Sequence, residues 1–483
     1  MNLSAVRFPG PRGPETGLLF STAAVLLVGL FGALAVSFWA GVAFLALGLV
    51  MLVRPLDLFV SLLLVASVAA FAEYGDLRIR RDLAVVGLLG LYALASFTAA
   101  WVSRRWGLPV SRLTPALLAL AITTGVAVLH GLAARNTVRF MSLELFPLLA
   151  LYVSLAVGGL RLTPGELRVA SRTYVAVGLA TSAIGFVYFA VTGSRAQGLP
   201  FSPIPGLVAL VILNLELYRD EPRPRLIPVL LICLLVFHQI LTFTRGFWLA
   251  LLVGIPFSCV VYARRGAGWR QRWSKVAHIV GLVALVLVAG GAILGVWLGL
   301  SDVIGMLGGR FASSFDTKNT PETVSNIVRL VELRTSLMLI VASPWLGYGH
   351  GFTLVVRQFF YPLAGAQWWV HESYVMIWLK QGIFGLLALL WVLFAALRLG
   401  LRGASHPDRQ LAGWCAASAA CTVFAAVIGL TNYYFFMVTQ NFLLAVLWGI
   451  SIVAGEPERS CLVWRVPPVA PSDGRADGEG SGA

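Results

Sequence analysis

LIPVLLICLLVFHQILTFTRGFWLALLVGIPFSCVVYARR, residues 226–265, consists of two apolar runs with a lone Arg245 between them and a basic pair at the end. Each run approaches the roughly twenty residues that cross about 30 Å of hydrocarbon. In lipid both must be helical, because backbone N–H and C=O groups have no water to satisfy them. The TFTRG link is a hairpin's worth of polar sequence, so the runs form an antiparallel pair. A charge at such a position is costly and tends to be paired or functional, with snorkelling to headgroups as the plainer alternative.

Similar runs recur near 17–35, 37–53, 56–73, 83–102, 114–133, 140–160, 169–193, 203–218, 276–300, 373–397, 410–430 and 434–454. The chain is 59% hydrophobic and 12% charged, where a soluble chain carries about a quarter charged residues. Its mean hydropathy is +0.86. The expected fold is an all-α polytopic membrane protein with about fourteen (twelve to fourteen) transmembrane helices. Its parts would be a cytoplasmic N-terminus (1–16), a first set of transmembrane helices (17–300), a long periplasmic loop (301–370), C-terminal transmembrane helices (371–454) and a disordered cytoplasmic tail (455–483). The run after Arg7 and Arg12 lacks a small-residue cleavage site and reads as a retained helix rather than a signal peptide.

Lys and Arg concentrate in cytoplasmic loops. The loops holding Arg104, Arg105, Arg219, Arg223, Arg225, the Arg264–Lys275 cluster, Arg398, Arg402 and Arg409 are therefore assigned to the cytoplasm, together with both termini. The net charge of +15 and pI near 10.2 follow from that rule and call for anionic membrane lipids rather than nucleic acid. Of the five cysteines, Cys233, Cys259, Cys415 and Cys421 lie inside spans and Cys461 in the tail. Their spacing suits neither disulfides nor a metal, and no cofactor is expected.

The remaining basic residues face outward and carry more information. In the long loop, residues 323–341 place Val324, Ile327, Val328, Val331 and Met338 at helical spacing, interrupted by Arg329, Glu332 and Arg334, as in an amphipathic helix at the membrane surface. SPWLGYGHGF, residues 343–352, then supplies Pro and three Gly for a tight loop with close backbone approach. The chain re-enters the membrane at HESY, which puts His371 at the outer mouth of a span as either an interfacial cap or a base. With Arg245, Arg195 and the Arg78, Arg80, Arg81 group the outer face is cationic and must bind an anion or be paired internally; a diphosphate is an economical ligand because guanidinium groups bind phosphate oxygens bidentately.

The succession TFTRGFW, R-x4-R, SPWLGYGHGF and HESY…LKQGIFG, between Arg195 and Phe384, closely resembles the C-terminal signature of the O-antigen ligase and polymerase family. The resemblance implies a glycosyltransferase C-class helical fold. It also implies a reaction on the outer face of a bacterial inner membrane, moving a glycan from a polyprenyl (undecaprenyl) diphosphate carrier to an acceptor hydroxyl such as that of lipid A-core or another glycan. By position it makes His371 the general base and Arg245 and Arg329 the catalytic cations. Arg195, Arg334, His350, Glu372 and Tyr374 are the residues expected to hold diphosphate or glycan, with Glu372 also a neighbour able to orient His371. Leu333 replaces a commoner aromatic, and SPIPG replaces an Asn-containing segment after Arg195. No Asp pair faces outward, so a metal-independent, inverting displacement is expected. Two alternatives stay open: a repeat-unit polymerase rather than a ligase, and a transporter or flippase of lipid-linked sugars, which would favour broken helices and polar groups near the bilayer midplane.

Overall fold

The computed structural model describes residues 111–160, 164–192, 203–298 (apart from 222, 243, 266 and 267), 321–355 and 366–455 (apart from 368), with Pro109 and Leu162. The expected spans at 17–35, 37–53, 56–73 and 83–102, the residue Arg195 and the tail beyond Gly455 lie outside the described residues.

The helices are α1 (Leu113–Ala133), α2 (Val138–Ala150), α3 (Val153–Gly158), α4 (Pro164–Thr192), α5 (Ile204–Leu217), α6 (Leu226–Leu241), α7 (Arg245–Ala263), α8 (Trp269–Leu298), α9 (Pro321–Ala342), α10 (Ser373–Gly403), α11 (Arg409–Gly429) and α12 (Val438–Gly455). Strands β1 (Leu354–Val355) and β2 (Ala366–Gln367) pair antiparallel in a minimal ladder. Among the described residues six helical segments are long and apolar enough to cross a membrane: α1, Val138–Gly158, α7, Trp269–Val288, α10 and α11. Shorter apolar helices occupy Ile204–Leu217, Leu226–Leu241 and Gln440–Gly455. The first of these, at 14 residues, spans only about 21 Å at 1.5 Å per residue, short of the hydrocarbon core.

Helix α11 is the hub and packs on α5, α7, α10 and α12. Its sequence, RQLAGWCAASAACTVFAAVIG, explains this, since small side chains let neighbouring backbones approach without a hydrophobic drive from lipid. A Cβ on Gly400 of α10 would come within 2.8 Å of the Cys415 carbonyl. Trp414 fills the space that remains, edge-on to Tyr174 of α4 at 5.6 Å. Hydrogen bonds that close on protein replace those water would make. Trp448 Nε1 donates to Thr422 Oγ1 (2.8 Å), and Asn441 Nδ2 donates to the carbonyls of Pro147 (2.9 Å) and Phe435 (2.7 Å).

Helix α10 is broken at Gly382, where φ is +72°. The break frees backbone groups, and the glycine-rich loop after α9 takes them up. Tyr348 and Gly349 donate their N–H groups to the carbonyls of Leu379 (2.8 Å) and Lys380 (2.9 Å), and Ile383 donates to the Pro344 carbonyl (2.9 Å). On its other side the loop is pinned to α1, with His350 N–H on the Ala127 carbonyl at 3.0 Å. Gly347 and Gly349 adopt positive φ, and a Cβ on Gly347 would meet the Leu379 carbonyl at 2.6 Å. The glycines that the sequence places in SPWLGYGHGF are thus the residues that let this loop fill the helix break. A methyl at Gly382 would collide with the Trp345 carbonyl in a backbone conformation that already disfavours side chains. Gly382→Ala is expected to destabilise the protein by about 2 kcal/mol or more, read as a lowered unfolding midpoint in detergent. Gly125→Ala, whose Cβ meets nothing within 4 Å on α1, should leave the midpoint unchanged or raise it.

Helix α9 is amphipathic as expected, but its faces are reversed relative to a helix resting apolar side down on its own protein. Glu332 and Ser336 are buried against the bundle, whereas Ile327, Leu330, Leu337, Met338 and Val341 are exposed. This orientation suits a helix with lipid on its outer side and a polar site beneath it.

Candidate functional site

The polar underside of α9 meets the start of α10. His371 Nδ1 lies 2.6 Å from Glu332 Oε2, and the His371 backbone N–H donates to Glu332 Oε1 at 3.1 Å. One carboxylate thereby fixes both the ring and the main chain of His371. An ionised carboxylate only accepts hydrogen bonds, so toward it Nδ1 is the donor, and in the neutral ring with that tautomer Nε2 carries the lone pair. Trp369 packs edge-on to the imidazole at 4.6 Å and restrains it from another side. The His371 side chain is 19% exposed and that of Glu332 is 1% exposed, so the imidazole is reachable while its partner is sealed.

The rest of HESY is anchoring. Glu372 caps α10 in an extended conformation, and its Oε2 is buried without a hydrogen-bond partner among the described residues. Ser373 Oγ donates to the Asn432 carbonyl (2.7 Å) and accepts from Phe435 N–H (3.3 Å), and Tyr374 OH donates to the Ala426 carbonyl (2.8 Å). Ser373 and Tyr374 therefore tie the half-helix below His371 to α11 and the turn that follows it.

The arginines come to the same place. Arg329 stands one turn before Glu332 on α9, and Arg245 opens α7, directly after its cap residue Thr244. Gly246 is required beside it, because a Cβ there would strike the Thr431 side chain. Burial pulls the Arg329 guanidinium below its ordinary pKa; Glu372 and Glu332 draw it back up, and Arg245 pushes it down again. Burial also lifts the Glu372 carboxyl, opposed by a hydrogen bond from its own backbone; the repulsion of Glu332 adds to the rise, and His371 and Arg329 counter it. Arg329 thus feels the charges of Glu372, Glu332 and Arg245, and Glu372 those of Glu332, His371 and Arg329.

Three residues expected at the ligand surface are placed otherwise. His350 has no exposed surface; its Nδ1 lies 2.8 Å from Glu144 Oε2, and its Nε2 lies 3.1 Å from Gln381 Nε2. Tyr374 spends its hydroxyl on α11. Arg334 is exposed on the opposite face of α9 from Glu332, where it lines a shallow groove with Leu330, Leu337 and Met338. Helical rotation is the cause, since residues two apart lie about 200° around the axis. Sequence reasoning also missed Glu332, which it read only as a break in an apolar stripe. The available signal was a carboxylate three residues after Arg329 on the same face.

A second buried unit lies below the loop. Lys380 Nζ contacts Glu144 Oε1 at 2.7 Å and also the Phe352 carbonyl, while Gly351 N–H donates to Glu144 Oε2 at 2.9 Å. Gln381 extends the network to Thr123 and Thr124 of α1, each at 3.2 Å.

No curated protein matches the chain. Residues 228–390 match the profile of the O-antigen ligase family, a segment that runs from α6 into α10 and contains Arg245, Arg329, Glu332 and His371. Over residues 228–390 the chain is thus similar to the O-antigen ligase family, and its long apolar helices fit a multi-pass membrane protein.

Proposed function

We propose that the protein transfers a glycan from a polyprenyl diphosphate carrier to an acceptor hydroxyl at the periplasmic face of the bacterial inner membrane, with ligase-type transfer to lipid A-core ahead of repeat-unit polymerisation. The observation that carries this reading is His371, held at two points by the sealed Glu332 carboxylate, whose charge also acts on Arg329. In the reaction, His371 Nε2 takes the acceptor hydroxyl proton as the oxygen attacks the anomeric carbon. The bond from that carbon to the diphosphate oxygen breaks, and its electron pair stays on the phosphate. Arg245 and Arg329 meet the charge that develops there, and preorganised cations at such a point lower the barrier most. A single displacement inverts the anomeric carbon; a product of retained configuration would sink that mechanism.

The transporter alternative calls for broken helices, and α10 is broken. Its freed groups at Leu379, Lys380 and Ile383 are, however, occupied by the protein's own loop, which favours a structural break over a ligand site.

The test is transfer by the purified protein in nanodiscs with labelled polyprenyl diphosphate glycan, candidate acceptors and excess chelator. Arg245→Ala and Arg329→Ala are each expected to lower kcat on the order of 10²-fold, with wild-type turnover surviving chelation. Product length separates ligase from polymerase. Donor binding without product from any acceptor would instead favour a transporter.

A further inference from the structure

At the arginine-rich end of the bundle, opposite His371, α1 begins beside the last turns of α10. Arg112, Arg398 and Arg402 there border a cleft of about 110 Å³ whose apolar lining includes Trp391, Phe394 and Leu399. The residues follow one another at helical spacing. Trp391, Phe394, Arg398 and Arg402 are three or four positions apart and form one stripe along α10, with aromatics toward the membrane interior and guanidinium groups at the helix end. From Trp391 to Arg402 the stripe covers about 16 Å at 1.5 Å per residue. Trp391 and Phe394 are 48% and 60% exposed, and among the described residues no acidic side chain lines the cleft. Arg112 and Arg402 also engage other groups, so the argument is the order of chemistry along the stripe rather than unpaired charge. A free anion would use the arginines and leave the aromatic floor unoccupied. A lipid uses both.

We propose that this cleft is a binding site for an anionic phospholipid of the adjoining leaflet, with its phosphates on Arg112, Arg398 and Arg402 and an acyl chain across Trp391 and Phe394. Three converging guanidinium groups suit a headgroup with two phosphates, since each can engage phosphate oxygens through two N–H groups. Basic pockets between transmembrane helices on the cytoplasmic side are a recurring place for such lipids. The site is independent of the transfer reaction and shares no residue with it.

The experiment uses full-length protein in phosphatidylcholine nanodiscs with or without cardiolipin, with native mass spectrometry for retained lipid and a thermal unfolding midpoint. Wild type is expected to retain cardiolipin and to gain stability from it. Binding should weaken about fivefold for each arginine removed, so Arg398→Gln with Arg402→Gln should lose most of it, while Arg264→Gln, an exposed arginine at the same end, should not. Trp391→Ala with Phe394→Ala leaves the charge intact and should also weaken retention, which keeps the test open if the arginine pair fails to fold. Equal retention by wild type and both double variants would overturn the proposal. So would inorganic phosphate reproducing the stabilisation, which would make the site one for a free anion.

Discussion

Glu332→Gln is expected to lower glycosyl transfer on the order of 10²-fold while leaving the donor KM near that of wild type. The carboxylate lies 2.6 Å from Nδ1 of His371, and in the proposed mechanism its larger effect comes when Nε2 takes the acceptor proton and the ring becomes an imidazolium. The amide oxygen can still accept from Nδ1–H, but the amide nitrogen then faces the His371 backbone N–H, so the compensating charge and one of the two tethers are lost together. The loss should appear in kcat, since the interaction strengthens only as positive charge develops. His371→Ala removes the proposed base and is expected to cost about 10²–10⁴-fold. If Glu332→Gln raised KM and spared kcat, Glu332 would belong to donor binding instead. Full transfer by His371→Ala would remove the histidine from the chemistry.

The second large effect concerns stability. Lys380→Met is expected to destabilise the protein by about 3–5 kcal/mol, because it leaves Glu144 charged in a site with no exposed surface. Removing both charges, with Glu144→Gln and Lys380→Met, should recover much of that loss, since replacing a buried pair costs less than orphaning one partner. Unfolding midpoints of the single and double variants measure the coupling. A single variant as stable as wild type would show that His350 and Gly351, which also contact Glu144, suffice to hold the carboxylate.

The six long apolar helices were legible in the sequence because a run of some twenty apolar residues permits few alternatives in lipid. The glycines of SPWLGYGHGF were legible as a tight loop, but their destination was not. The receiving break at Gly382 sits within a run, LKQGIFGLL, that hydropathy reads as an uninterrupted span. Glu332 was obscured for a related reason. A carboxylate on an amphipathic helix reads as a water-facing residue until the helix is seen to turn its polar face inward. Its partner His371 is 39 positions away, and Glu144 and Lys380 are 236 apart, distances at which no periodicity carries information. His350 and Tyr374 are expected at the ligand because they share motifs with His371; in the structure their side chains bond Glu144 and the Ala426 carbonyl, contacts between distant segments that the motifs do not reveal.

The break in α10 also constrains how the chain is assembled. A span delivered laterally into lipid as a finished helix needs nothing from its neighbours, but the segment around Gly382 cannot satisfy its own main chain. Its acceptors at Leu379 and Lys380 are met by residues 348 and 349, which precede the break in the chain and are synthesised before it. Those residues must fold back between α1 and α10 before the bundle closes. The step that completes the helix is therefore the same one that seats the loop, and it follows insertion rather than accompanying it.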